Sequence, residues 1–141
     1  MSIKQLYCYF FYTFYRVWFN IDNSFGATGF FQTSSKALIC MFAVETWLLF
    51  SIGIYFIHLF NIHTRISFFS FPVLAPFVIL FITKWFIFEN KDKWKNYVDD
   101  FNKWPKRKNR IGFWVVGMII LVVILNFIYA VNLNLQPKGL E

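Results

Sequence analysis

Two ionisable residues, Glu45 and Lys84, stand inside long apolar segments of this sequence. A charged side chain there is costly in lipid and usually faces a partner or a water-filled cavity. In antiparallel helices, a rise of 1.5 Å per residue places Glu45 about 12 Å and Lys84 about 7 Å from the same bilayer boundary, a gap that a lysine stem can bridge. We therefore predict an ion pair. The alternatives are a Lys84 that snorkels and a Glu45 that is protonated or hydrogen-bonded.

A third polar residue, Asn126, interrupts the last apolar segment. An asparagine inside the membrane hydrogen-bonds to a neighbouring helix, which favours self-association. Gly112 and Gly117 lie nearby but are not spaced as GxxxG. Glu45, Lys84 and Asn126 are therefore the candidates for residues that line a pore or form polar contacts within the membrane.

Basic residues are concentrated just before the last apolar segment. Such a cluster anchors the topology of a membrane protein and attracts anionic lipid, at about 1 kcal/mol per basic residue. Because aromatic residues are interleaved with the charges, a nucleotide or single-stranded nucleic acid is the alternative ligand, although four nearby acids dilute that signal. The predicted contact residues are Lys106, Arg107, Lys108, Arg110, Trp94 and Trp104.

Signatures of catalysis and metal binding are missing from the sequence. Cys8 and Cys40 have no CxxC spacing, and His58 and His63 fall on different faces of a helix. There is no phosphate-binding glycine loop, HExxH or GxSxG motif. We therefore expect a protein that is not an enzyme and has no metal site and no cofactor.

The composition predicts the fold class. Hydrophobic residues make up 58% of the 141 residues and the mean hydropathy is +0.51, which is unusual for a water-soluble domain. The apolar residues form three blocks of about 21 to 25 residues, each long enough to cross a bilayer. We predict an all-α integral membrane protein with three transmembrane helices, at residues 36–60, 68–88 and 111–131.

Two amphipathic helices at the membrane interface are predicted beside these spans. In residues 1–20, the more polar positions Lys4, Cys8, Tyr12 and Arg16 recur every four residues, opposite an apolar face. A fourth span is the alternative for that segment. The second helix lies in the basic loop 89–110, where Trp94, Tyr97, Val98, Phe101 and Trp104 repeat with helical spacing. The connecting segments are a linker at 21–35, a turn at 61–67 and a tail at 132–141.

The distribution of basic residues predicts the orientation. Eight of them lie between the second and third spans (Lys91, Lys93, Lys95, Lys103, Lys106, Arg107, Lys108 and Arg110), whereas only Arg65 lies between the first and second. The positive-inside rule then places the N-terminus and the 89–110 loop in the cytoplasm, and the turn and the C-terminus outside. We expect a multi-pass protein of the inner (plasma) membrane, of bacterial origin.

Function is predicted only as a class. A bundle of three spans is too small to enclose a transport pathway, so activity would require a homo-oligomer or a membrane-protein partner within the lipid bilayer. The first expectation is a homo-oligomeric channel, pore or membrane-disrupting effector. The alternative is an accessory or anchoring subunit of a larger membrane complex.

Overall fold

The structure, a computed structural model, describes residues 2–26, 31–60 and 71–135, and this part of the chain is helical. The predicted turn at 61–67, with His63 and Arg65, and the end of the predicted tail from 136 lie outside the described residues. The helices are α1 (Ile3–Phe25), α2 (Thr33–Leu59), α3 (Phe71–Lys84), α4 (Lys93–Asn102) and α5 (Lys106–Leu135), with a π-helical turn at Trp85–Glu89 and a 3₁₀ turn at Asn90–Asp92.

Three stretches of helix are long and apolar enough to cross a membrane. They are Thr33–Leu59, the helical stretch Phe71–Asn102 and Lys106–Leu133. The predicted all-helical class is thus confirmed for the described residues. Helix α1 is not among these three stretches.

Helix α1 is longer than predicted, and the linker after it is correspondingly shorter. The helix starts at a capping box, in which Ser2 and Gln5 each bond the other's backbone N–H. It ends only at Gly26, whose φ of 77° is accessible to glycine without strain. Its last turns are held by Asp22, which accepts hydrogen bonds from Lys36 at 2.6 Å and Thr33 at 2.8 Å. These two bonds hold the pKa of the Asp22 carboxyl below its usual range.

The basic cluster forms the first turns of α5 rather than part of a loop. Helix α5 begins at Lys106, directly after Pro105, whose carbonyl accepts from the Asn109 backbone N–H at 3.1 Å. A proline at the start of a helix loses no internal hydrogen bond, so the charged residues continue into the apolar segment without a break. The predicted loop 89–110 therefore ends as helix, and the helix of the third span starts five residues before position 111.

The connection between α3 and α4 turns the chain back on itself. Lys91 and Asp92 both adopt left-handed backbone conformations, with φ of 59° and 52°. That conformation costs a non-glycine residue roughly 1–2 kcal/mol, which packing elsewhere must offset. The compensating contacts are those of α4, whose Val98 and Phe101 are buried in the main core. The left-handed pair thereby brings α4 back against α1.

The core lies where α1, the first turns of α2, the π-helical turn, α4 and the first turns of α5 meet. Phe11 is fully buried and stacks on Phe88, with ring centroids 4.6 Å apart. Tyr9 stacks on Trp104 at 5.5 Å and meets Phe101 edge-on at 5.2 Å. Ala37 and Met41 bring the first turns of α2 into the same core, and α2 also packs along α5.

The polar positions of α1 do not share one environment, contrary to the predicted stripe. Lys4 and Arg16 are exposed, but Cys8 and Tyr12 are buried against the rest of the chain. Tyr12 is buried because its hydroxyl donates to Asn102 Oδ1 at 2.9 Å. On the opposite apolar face, Ile3, Leu6 and Val17 are exposed, whereas Phe10 and Phe14 are partly buried against the core. The exposed part of this face is of the kind that a helix in contact with lipid presents.

Candidate functional site

The predicted pairing of Glu45 and Lys84 is present. Lys84 Nζ lies 2.5 Å from Glu45 Oε2 and also donates to the Tyr7 hydroxyl oxygen at 3.1 Å. Lys84 is only 5% exposed, so it does not snorkel to the surface. We call these three residues the polar cluster. It joins α1, α2 and α3 through one ammonium group.

The surroundings of the polar cluster are aromatic. The ammonium of Lys84 lies 5.5 Å from the ring centroid of Tyr7 and 6.0 Å from that of Phe42. Such rings offer the cation a favourable quadrupole in place of water. Burial, followed by the charge of Glu45, raises the pKa of the Tyr7 hydroxyl well above its usual range. Tyr7 therefore stays protonated.

Two buried oxygens beside the polar cluster have no partner among the described residues. They are Glu45 Oε1 and the Thr46 hydroxyl oxygen. A buried acceptor without a hydrogen bond costs about 1–3 kcal/mol unless a water or ion satisfies it. The carboxylate thus retains one free binding position after pairing with Lys84.

Asn126 is paired within the chain. Tyr55 of α2 donates its hydroxyl proton to Asn126 Oδ1 at 2.8 Å, which links α2 to α5. The side-chain carbonyl that could bind a second copy is already engaged. The structure thus brings Glu45 and Lys84 together but places Asn126 in a separate contact.

A second candidate site is a groove of about 1370 Å³ between α1, α4 and the first turns of α5. Its basic lining comes from two separate elements, with Arg16 on α1 and Lys106, Arg107 and Arg110 on α5. Asp99 is the acidic residue of this lining. We call this site the basic groove. Its net positive charge suits an anion.

The walls of the basic groove are held by buried hydrogen bonds. Asn109, 6% exposed, donates through its side-chain amide to the Phe101 carbonyl oxygen at 2.9 Å. Its own backbone carbonyl accepts from the Tyr9 hydroxyl at 2.9 Å. With the Tyr12–Asn102 bond, these contacts fix α1, α4 and α5 relative to one another. The basic side chains therefore project from a rigid frame.

Only four of the six predicted ligand-binding residues line the basic groove. Lys106, Arg107, Arg110 and Trp104 line the basic groove, whereas Lys108 and Trp94 are not among its lining residues. Lys108 Nζ instead lies 3.6 Å from the ring centroid of Trp104. The ring of Trp94 packs on Tyr15 at 5.4 Å.

Sequence reasoning missed Tyr7, Tyr55 and Arg16 as site residues. The fourfold spacing of α1 included Arg16 but gave no indication of its distance from Arg110, which is 94 positions later. Tyr7 and Tyr55 carry no signal of their own in a chain with seven tyrosines. Each was identified only by its contact with an element distant in sequence.

Metal binding and similarity to known proteins add no further site. Within residues 2–26, 31–60 and 71–135, no group of three or more His, Cys, Asp or Glu side chains is placed to hold a metal ion. The chain matches no protein family, no curated protein and no solved structure.

Proposed function

We propose that this chain is a non-enzymatic, multi-pass protein of the inner (plasma) membrane that serves as an accessory or anchoring subunit of a larger membrane complex. The observation that carries this proposal is that Glu45, Lys84 and Asn126, the three polar residues predicted inside the spans, each have a partner within the chain. Glu45 bonds Lys84, and Asn126 bonds Tyr55. Polar groups already engaged in this way are poorly suited to line a water-filled path between copies.

The outward faces of the spans support the same proposal. They present large apolar side chains, including Ile52 and Phe56 on α2, Ile79 on α3, and Val122 and Leu125 on α5. In lipid, apolar faces of this kind pack against acyl chains or against other apolar helices. The chain thus offers partner helices a broad hydrophobic surface, while α1 and α4 cover one end of the bundle.

A homo-oligomeric pore or membrane-disrupting effector is the second candidate. The observation that favours it is that neither Glu45 Oε1 nor the hydroxyl of the next residue, Thr46, has a hydrogen-bond partner within residues 2–26, 31–60 and 71–135. A buried carboxylate oxygen with free capacity can hold water or a cation on a path through an assembly. On this alternative, Glu45→Leu would relieve any toxicity of overexpression without lowering the amount of protein in the membrane.

The mass of the purified protein in detergent separates the two candidates. For an accessory subunit we expect a monomer on its own and a stable complex only when it is purified from cells that contain its partner. Light scattering with subtraction of the detergent mass measures this directly. A homogeneous homo-oligomer, together with membrane depolarisation that Glu45→Leu abolishes, would contradict the accessory-subunit proposal and favour the pore.

The proposed orientation places the N-terminus, α4 and the basic start of α5 in the cytoplasm. In a chain with a single cysteine, we expect the variant Lys103→Cys to be protected from an impermeant thiol reagent in intact cells. The variant Asn132→Cys should be labelled. Both side chains are exposed, and Cys8 and Cys40 would first be replaced by alanine. Labelling after cell lysis is the control for reactivity. External labelling at Lys103 would reverse the orientation.

A further inference from the structure

We propose that the basic groove binds the headgroup of a single anionic phospholipid. This goes beyond the role of an accessory subunit, because it gives the chain a defined lipid ligand. The first support is the convergence of charge. Arg16 comes from α1 and Lys106, Arg107 and Arg110 from α5, and one acid, Asp99, offsets them. The other nearby acids, Glu89, Asp92 and Asp100, are not among the lining residues.

The second support is the position of the groove along α5. Its basic residues end at Arg110, and the apolar segment of the third span starts at the next residue. Phe113, which is 47% exposed, also lines the groove, as do the exposed Val17 and Phe19 of α1. A ligand that fits this lining has an anionic part next to an apolar part. A phospholipid lying with its phosphate at the membrane surface has that arrangement.

The third support is that the rings of Trp94 and Trp104 are already covered by side chains of this chain. Trp104 is covered by Tyr9, in a stacked arrangement with ring centroids 5.5 Å apart, and by the ammonium of Lys108. Trp94 packs on Tyr15 and lies 5.6 Å from the Lys95 ammonium. Single-stranded nucleic acids bind by stacking bases on free aromatic faces. The occupied rings therefore favour a lipid phosphate over a nucleic acid.

Native mass spectrometry tests the proposal. The full chain is mixed with phosphatidylglycerol or phosphatidylcholine in a mild non-ionic detergent, and the bound lipid is measured. We expect one phosphatidylglycerol to be retained in preference to phosphatidylcholine. The double variant Arg16→Gln/Arg110→Gln should bind phosphatidylglycerol about 30-fold more weakly, which is about 2 kcal/mol at 1.4 kcal/mol per tenfold. Both arginines are exposed, so the fold should survive; the melting temperature checks this.

A matched control is Lys95→Gln/Lys103→Gln, which removes the same charge from exposed positions outside the groove. We expect its phosphatidylglycerol affinity to stay close to that of the parent. An equal loss of phosphatidylglycerol affinity in both double variants would mean that the lipid is attracted to the surface charge in general. That result would overturn the proposed binding site in the groove. Inorganic phosphate and a single-stranded oligonucleotide serve as competitors. Displacement of the lipid by either would also overturn the proposal, and resistance to both would support it.

Discussion

Glu45→Gln and Lys84→Met are each expected to lower the free energy of unfolding by about 3–5 kcal/mol, and the double variant by less than either. Each single change leaves one partner of the buried pair without its counter-charge. Lys84 would lose the carboxylate 2.5 Å away and keep the Tyr7 hydroxyl, and Glu45 would lose the ammonium that donates to its Oε2. Removing both charges together removes that penalty.

The measurement is a double-mutant cycle by unfolding in mixed detergent micelles. Asp92→Asn and Lys95→Met form the matched control, because the side chains of that ion pair are 62% and 58% exposed. Exposed pairs contribute little, so we expect smaller single losses and nearly additive effects there. If the losses in the free energy of unfolding at Glu45 and Lys84 were additive, the two side chains would not stabilise each other.

Gly112→Ala is expected to lower the free energy of unfolding by about 1–3 kcal/mol, the usual cost of overpacking a filled core. A Cβ at position 112 would lie 2.5–2.6 Å from the hydroxyl oxygen and ring carbons of Tyr9. The ring cannot move away easily, because it is stacked on Trp104 and hydrogen-bonded to Asn109. The substitution therefore pushes α1 away from α5.

Gly117→Ala is the matched control on the same helix. A Cβ there meets no atom within 4 Å, so we expect no loss and a gain of up to about 1 kcal/mol from helix propensity. Limited proteolysis of α1 gives a second measurement, since only Gly112→Ala should make α1 easier to cleave. Equal stability in the two variants would mean that Tyr9 does not hold α1 in place.

The helical class and the three apolar segments could be predicted from the sequence alone, because hydropathy and length are local properties of the chain. The contact between Glu45 and Lys84 was also predictable. Two antiparallel apolar helices have only one register that keeps both ends at the membrane boundaries, and helix rise then sets the depth of each charge. Neither inference needed the positions of α1 or α4.

The assembly of the basic groove was decided only by the tertiary structure. Arg16 lines the same groove as the start of α5 because the left-handed residues Lys91 and Asp92 return α4 to α1. Aspartate tolerates that conformation better than most residues, but lysine does not, so the residue types do not predict the pair. The buried face of α1 was likewise unpredictable from polarity. Tyr12 and Cys8 are buried there because the Tyr12 hydroxyl finds an acceptor in Asn102 and Cys8 packs in the core, and a partner 90 residues away has no signature in the sequence of α1.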